Sequence, residues 1–373
     1  MKLLADENMP YVQTLFGDWA EVTTCAGRDI TPEQLKGVEV LLVRSITQVN
    51  EALLTKADSL RFVGTATIGC DHIDTELLAQ RNITFASAPG CNKVAVGDYV
   101  LAALLTVAEH KGWLLKEKTI AVVGVGNTGS QVAERAHALG MEVLLCDPFK
   151  AQQSPTGFVE LAQALTADII SFHVPITRDG AHPTWHLLDE EVIHQLHGDQ
   201  VLINACRGEV WDNNALLLRQ QGANPLTLVM DVWEHEPEVL APLVKHTLLA
   251  TPHIAGYSLE GKARGTFALY QALKTQYGQE VMNSVEQLLP TPPITHITCA
   301  GEYDQDLCTR LVRLIYDIKA DDRAFRAALG QHGFFDQLRK QYPQRRELGS
   351  LAVESTQIDV QNTLHGLGFS AQR

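Results

Sequence analysis

Little in this sequence belongs to a secreted, metal-bound or nucleic-acid-binding protein. Its seven cysteines (Cys25, Cys70, Cys91, Cys146, Cys206, Cys299 and Cys308) are odd in number and form no CxxC pair. That argues against a disulfide framework and against a zinc site, and the expectation is a metal-free protein in a reducing cytoplasm. Positive charge is scarce: 30 Lys and Arg stand against 44 Asp and Glu, a net charge of −14. A field of that sign disfavours nucleic acid and anionic membranes as partners. An anionic ligand would have to be held by local cations or helix N-termini. No apolar run approaches the roughly 20 residues that cross a bilayer; the stretch 100–108 is bounded by Asp98 and Glu109. The opening MKLLADENMP turns acidic at Asp6 and has no signal-peptide apolar region, so no secretory leader is expected.

Core-forming residues, by contrast, are abundant. Hydrophobic residues make up 45% of the 373, which at roughly 100–200 residues per domain implies two or three domains. Residues 1–92 read as short β/α units, with strands at 2–5, 38–43 and 61–64, and helix or turn at 31–36 and 50–57. Thr31 before Pro32 suits an N-cap and first helical position. The segment 64–69, GTATIG, places a glycine at each end of a loop. Asn92 is positioned to cap a helix to about residue 110, with Val96, Val100, Leu104 and Val107 on one face. From Thr119 the alternation is regular, with strands at 119–123, 142–146, 169–173, 201–204, 227–230 and 248–250. Helical segments separate most of these strands, which implies a parallel sheet covered on both faces. A helix over 259–276 follows. The proline-rich stretch 289–293 marks a boundary, and beyond it strands at 295–298 and 350–354 with a helix over 304–318 form a small α/β module.

The fold class is therefore α/β, with two doubly wound, Rossmann-like parallel-sheet domains and a small C-terminal domain. The expected division is 1–92 with 257–285, then 93–256, then 286–373.

The polar motifs fall at the carboxyl ends of these strands. VVGVGNTG at 122–129 carries GxGxxG at Gly124, Gly126 and Gly129. A lone GxGxxG is a weak signal, but this one lies between a strand and a helix, where each glycine has a task. The first permits the tight turn, the second lets a pyrophosphate approach the backbone, and the third allows close helix–strand packing. Asp147 ends the next strand, placed to accept hydrogen bonds from the adenosine ribose and to repel a 2′-phosphate. Pro148 and Phe149 supply no cation for such a phosphate. The cofactor is expected to be NAD.

Three further strand ends carry Arg207, then Asp231 and Glu236, then His253. Hydride removal from a 2-hydroxy acid needs a base for the hydroxyl proton and a cation for the carboxylate or developing carbonyl. His253 suits the base. Glu236 suits the group that sets its tautomer and steadies the imidazolium, and Arg207 offers a fork of donors for the substrate. Asp231 suits a nicotinamide contact. His235, beside Glu236, is a rival base.

With these motifs in order, together with HVP at 173–175, LINACRGEVWDNNAL at 202–216, DVWEHEP at 231–237 and TPHIAG at 251–256, the chain resembles the D-isomer-specific 2-hydroxyacid dehydrogenases over about residues 40–275. The resemblance implies two Rossmann-like domains, NAD(P) chemistry and an Arg-Glu-His trio, here Arg207, Glu236 and His253. LADENMP at 4–10, GTATIGCDHID at 64–74, APGCN at 88–92 and HIAGYSLEGKARGT at 253–266 are most similar to the members that oxidise a four-carbon, 4-phosphorylated acid in vitamin B6 synthesis. That likeness implies a homodimer joined through the C-terminal domain, and a small phosphorylated hydroxy acid as partner. It also implies substrate contacts at Ser45, Thr67 and Tyr257, and NAD contacts at Asn127, Thr128, Asp147, Ala205, Cys206, Arg207, Asp231 and Gly256. Arg44, Lys262 and Arg264, with Arg345 and Arg346, are candidate cations for the phosphate, and the N–H groups of 64–69 a candidate nest for the carboxylate. Three positions depart from the pattern: Val174 replaces a threonine, Trp211 a small apolar residue, and Gly97-Asp98 an apolar-Glu pair. The rivals are a phosphoglycerate- or hydroxypyruvate-specific enzyme of the same fold, and a non-enzymatic NAD sensor.

Overall fold

A computed structural model of the chain describes residues 1–154, 156–281 and 284–371. It divides into two compact units, Met1–Asn92 with Tyr257–Thr291, and Lys93–Gly256 with Pro292–Arg373. The first division after the long helix 259–276 thus falls inside the proline-rich stretch. The sequence reading separates 286–373 as a third domain, whereas in the structure 292–373 is compact with 93–256.

In the first unit, alternating apolar residues build a sheet with two buried faces. Its strands are β1 (Lys2–Asp6), β2 (Glu21–Cys25), β3 (Val40–Val43), β4 (Phe62–Thr65) and β5 (Thr84–Ala86), all parallel in the order β2-β1-β3-β4-β5. Because side chains alternate along a strand, Leu3, Ala5, Val40, Leu42 and Phe62 point one way, onto Leu269, Tyr270 and Leu273 of the helix Leu259–Gln276. Leu4, Leu41, Val43 and Val63 point the other way, onto Leu35, Leu54 and Leu78. Sequence reasoning missed β2 and β5. Both are edge strands with mostly exposed or half-buried residues, so neither shows an apolar run. Gly64, expected to end a strand over 61–64, lies within β4, which runs one residue further, and a Cβ there would meet Leu269 at 3.0 Å.

The second unit carries β6 (Thr119–Val123), β7 (Glu142–Cys146), β8 (Ile169–Phe172), β9 (Val201–Asn204), β10 (Thr227–Met230) and β11 (Leu249–Ala250), parallel in the order β11-β10-β9-β8-β6-β7. Strands β8 and β9 are buried at every residue, which is why they read as continuous apolar runs. A two-stranded parallel ribbon, β12 (His296–Cys299) and β13 (Ala352–Ser355), lies in the C-terminal part.

Two helical expectations need correcting. The helix Lys93–Lys111 is buried continuously from Ala95 to Ala108 rather than along one face, because the helices Asn127–Ala138, Gln305–Ile315 and Ile318–Ala328 all pack on it. Asn92 does not cap it: its Oδ1 is buried without a hydrogen-bond partner among the described residues. The helix expected over 304–318 breaks into Gln305–Ile315 and Ile318–Ala328, and its buried face is Cys308, Leu311 and Val312, while Leu314 is exposed. The departure at Gly97-Asp98 has a physical account. Asp98 is buried and accepts from Arg135 Nη2 at 2.6 Å, and a Cβ at Gly97 would meet that guanidinium at 2.9 Å.

Candidate active site

The glycine loop follows directly from β6. Gly124 takes φ +87° and its N–H donates to Cys146 at 2.8 Å. A Cβ there would lie 2.6 Å from the His173 carbonyl oxygen, and one on Gly129 would lie 1.9 Å from the Gly124 carbonyl oxygen. Neither position admits a side chain. A Cβ on Gly126 would meet nothing within 4 Å, so the middle glycine faces open space, as a diphosphate-binding loop requires. The helix begins at Asn127, so Asn127, Thr128 and Gly129 form its first turn and present N–H groups to an anion. These residues fit a dinucleotide.

Asp147 is tied to that loop. Its Oδ2 accepts from Val125 N–H at 3.0 Å, and its Oδ1 caps the helix Pro148–Gln153 through Lys150 N–H at 3.1 Å. A carboxylate has about four acceptor sites, so capacity remains for ribose hydroxyls. The Lys150 ammonium, which sequence reasoning passed over, donates to the Val125 carbonyl. At Val174 the Cγ1 lies 2.8 Å from where a Gly124 Cβ would be, so its isopropyl group closes one wall of the turn. His173 beside it is buried, which pushes its pKa down to about 3 and keeps it neutral.

The candidate catalytic residues sit on loops after β9, β10 and β11. Asn204, fully buried at the end of β9, accepts from Cys206 N–H at 3.1 Å and donates to the Arg207 carbonyl at 2.9 Å. It thereby folds the turn that carries Ala205, Cys206 and Arg207. The Arg207 Nη1 donates to the Cys206 carbonyl at 2.8 Å. Burial pushes the Cys206 thiol up to about 11, so it is a neutral packing group. A Cβ at Gly208 would meet the Trp233 carbonyl at 2.0 Å, so glycine is what allows the loops after β9 and β10 to touch. Trp211, the third departure, is fully buried with its ring edge-on to Phe172 at 5.5 Å; it fills the core beneath these loops.

Glu236 and His253 form the centre. His253 Nδ1 lies 2.7 Å from Glu236 Oε2, and Glu236 Oε1 accepts from Trp233 N–H at 2.9 Å. Burial works to raise the Glu236 pKa, but the charge and hydrogen bond of His253, the charge of Arg339 and the Trp233 N–H together hold the carboxyl below its ordinary value. It is ionised at neutral pH and can only accept. Nδ1 must therefore carry the hydrogen, and Nε2 is left for proton transfer. The rival His235 is exposed on the loop after β10, and the partner of Glu236 is His253.

The loop 251–256 is anchored by Asp231, which is 1% exposed. Its carboxylate accepts from Thr251 Oγ1 at 2.7 Å, Ile254 N–H at 2.8 Å and Ala255 N–H at 2.9 Å, and its carbonyl accepts from His253 N–H at 2.6 Å. Asp231 is thus first of all an internal anchor, a role its sequence position did not reveal. Sequence reasoning also missed Thr251, whose hydroxyl meets that of Tyr99 at 2.8 Å. Polar residues ending apolar strands were the available signal for Asn204 and Thr251. Gly256 closes the loop.

In the first unit, the Thr67 hydroxyl lies 2.6 Å from that of Thr65 and donates to the Gly69 carbonyl at 2.8 Å. The Ala66 N–H donates to Val43 at 2.9 Å, so the candidate nest starts at Thr67 and not at Gly64. Arg44 and Lys262 both lie over the Tyr257 ring, at 4.9 and 4.5 Å from its centroid, and Arg264 donates to the Cys91 carbonyl at 2.8 Å. Ser45 follows Arg44 and is half-buried. Arg345, also considered for a phosphate, is buried and bonded to backbone carbonyls of the second unit, which removes it from the candidates.

Comparison with known proteins agrees with this chemistry. Residues 99–255 match the model of the D-isomer specific 2-hydroxyacid dehydrogenase NAD binding domain, and 288–368 match a domain of unknown function (DUF3410). The chain is 53% identical to the erythronate-4-phosphate dehydrogenase of Tolumonas auensis over 99% of both chains. It is 55% identical to that of Aeromonas hydrophila over the whole of both. The D-lactate dehydrogenase of Aquifex aeolicus, solved with NAD and lactic acid, shares the fold at a TM-score of 0.61 and 24% identity, over 74% of this chain and 96% of that one. The chain belongs to the family of the erythronate-4-phosphate dehydrogenases, built around a D-isomer specific 2-hydroxyacid dehydrogenase core.

Proposed function

We propose that this chain oxidises erythronate 4-phosphate at its 2-hydroxyl with NAD, giving 2-oxo-3-hydroxy-4-phosphobutanoate for vitamin B6 synthesis. The observation that carries the reading is the 2.7 Å pair of His253 Nδ1 and Glu236, in the unit that also carries the glycine loop. Bound NAD supplies the hydride acceptor. His253 takes the hydroxyl proton at Nε2, and the ionised Glu236 steadies the imidazolium that results. Arg207 binds the substrate through its guanidinium and opposes the charge that develops on the 2-oxygen. Asn127, Thr128, Asp147, Ala205, Cys206 and Gly256 line the dinucleotide, and Asp231 serves it by holding the loop 251–256.

On the first unit, Ser45, Thr67 and Tyr257 contact the substrate, with the N–H groups of 67–69 receiving the carboxylate. Arg44 and Lys262, paired over Tyr257, hold the phosphate. In a chain of net charge −14, a dianion needs local cations of this kind. The enzyme works as a cytoplasmic homodimer joined through its C-terminal part. That assignment is supported by Leu314 and Ile358, exposed there at 51% and 71%, and no described helix is long and apolar enough to cross a membrane.

The test is NAD reduction by the purified chain with 4-phospho-D-erythronate, 3-phospho-D-glycerate and D-lactate. We expect kcat/KM for the first to exceed the other two by at least about 100-fold, near 2.7 kcal/mol of discrimination. Equal kcat/KM for 3-phosphoglycerate would reject the substrate assignment. Tight NAD binding without turnover of any of the three would favour the sensor.

A further inference from the structure

The loop that presents His253 is gripped on both sides. The N–H groups of Ile254 and Ala255 donate to Asp231. Their carbonyls face a different residue: Arg345 Nη2 donates to Ala255 O at 2.6 Å, and its Nη1 reaches Ile254 O at 3.5 Å. The same guanidinium bonds Ala95 O at 2.9 Å in the first turn of the helix Lys93–Lys111. Arg345 is 6% exposed, and its guanidinium lies 4.3 Å from the centroid of the Tyr316 ring. The Tyr316 and Tyr342 hydroxyls both donate to Asp321, at 2.9 and 2.7 Å. A buried cation is thus fixed over the Tyr316 ring and aimed at the peptide units that follow the catalytic histidine.

The histidine needs that support. His253 has φ +57°, in the left-handed region, where a residue with a Cβ persists only if its surroundings over-determine it. The same C-terminal segment also bounds the site at two other points. Asp322 Oδ1 accepts from Ala250 N–H at 2.8 Å, at the last residue of β11. Phe325 stacks on Trp233 with centroids 5.6 Å apart, and Trp233 donates through its backbone to Glu236 and through its ring to Thr251 O at 3.0 Å.

We propose that Arg345 is a positioning residue for the reaction, and that the C-terminal segment matched to a domain of unknown function braces the catalytic loop of its own chain. This rests on the reading of His253 as the acid–base. The brace sets the imidazole against Glu236 by closing the carbonyl side of the loop whose amide side is closed by Asp231.

The test uses the full chain with Arg345→Ala and Arg345→Lys. A histidine displaced by about 1 Å loses about 100-fold in rate, so kcat of the alanine variant should fall by that factor. The KM for substrate should stay within about threefold, because no substrate-binding group is removed. Methylguanidine should restore at least about tenfold of kcat by refilling the site, and methylammonium should not. Amide exchange followed by mass spectrometry should quicken across 251–256. A folded alanine variant with kcat within twofold of the parent overturns the proposal, as does a loss that methylguanidine leaves untouched while exchange across 251–256 is unchanged. Should the alanine variant not fold, the lysine variant decides: it keeps the charge but not the fork, so kcat should fall about tenfold, and parental kcat refutes the role. Full activity in His253→Asn, in an otherwise unaltered chain, would instead remove the acid–base reading on which this rests.

Discussion

The five-stranded and six-stranded sheets share a strand order, each reversing between its first and third strands, yet their strand ends carry different chemistry. At the ends of the first sheet, hydroxyls and backbone groups dominate, with Thr65, Thr67 and Gly69 bonded to one another and two cations on Tyr257. At the ends of the second, glycines and carboxylates dominate. Asp147 and Asp231 accept from the backbone of neighbouring loops, and Glu236 from that of its own. Topology decides where loops gather, and the residues on the loops decide what is done there. Under the proposed function, recognition of the substrate's anionic ends falls to the first sheet, and proton handling and dinucleotide binding to the second.

Substitutions can break that division. The largest effect expected is His253→Ala, which should lower kcat by about 1,000-fold, the scale of a lost general acid–base, while NAD still binds by fluorescence quenching. A comparable loss of kcat from Tyr257→Leu would mean that the first sheet takes part in the chemical step. Next, Gly129→Ala forces a Cβ to 1.9 Å from a carbonyl oxygen. Overpacking of that kind costs about 1–3 kcal/mol, so Tm should drop by several degrees and NAD binding weaken. Gly126→Ala meets nothing; it should leave Tm unchanged and weaken only NAD, which separates fold from ligand within one motif.

On the first sheet, Lys262→Met or Arg44→Met should raise KM for the phosphorylated substrate about tenfold, near 1.4 kcal/mol, with kcat unchanged and plain erythronate unaffected. An equal effect on both substrates would dissociate these cations from the phosphate. The smallest effect is one of pH. The folded-state pKa of Glu236 lies below its ordinary value, so its ionised form stabilises the fold above the unfolded pKa of about 4.3. That stabilisation is lost as pH falls through the folded value. Wild type should therefore be more stable than Glu236→Gln near pH 7, by denaturant titration, and the gap should close below about pH 4. A gap that is constant with pH would show that the charge of Glu236 does not contribute.

Much of the second unit was legible because its determinants are local. Each buried strand is a short apolar run, and the glycine loop lies within eight residues of chain, 122–129. The same local logic failed for β2 and β5, whose half-exposed edges have no apolar period, and for the helix Lys93–Lys111, buried on every side by helices distant in sequence. It was silent on the internal bonds of Asp231, whose carboxylate holds the loop after β11.

The sequence by itself determined the parallel α/β architecture, the glycine turn and the identity of the groups that can move a proton, since period, steric need and side-chain chemistry are properties of residues and their near neighbours. Only the tertiary structure decided that Nδ1 of His253 meets Glu236, that Asn204 and Asp231 hold the loops, and that Arg345 reaches Ala255 across 90 residues. Those are contacts among strand-end loops and, for Arg345, with a distant C-terminal segment. They exist because a parallel sheet brings its carboxyl ends together, and no spacing along the chain records which of them will touch.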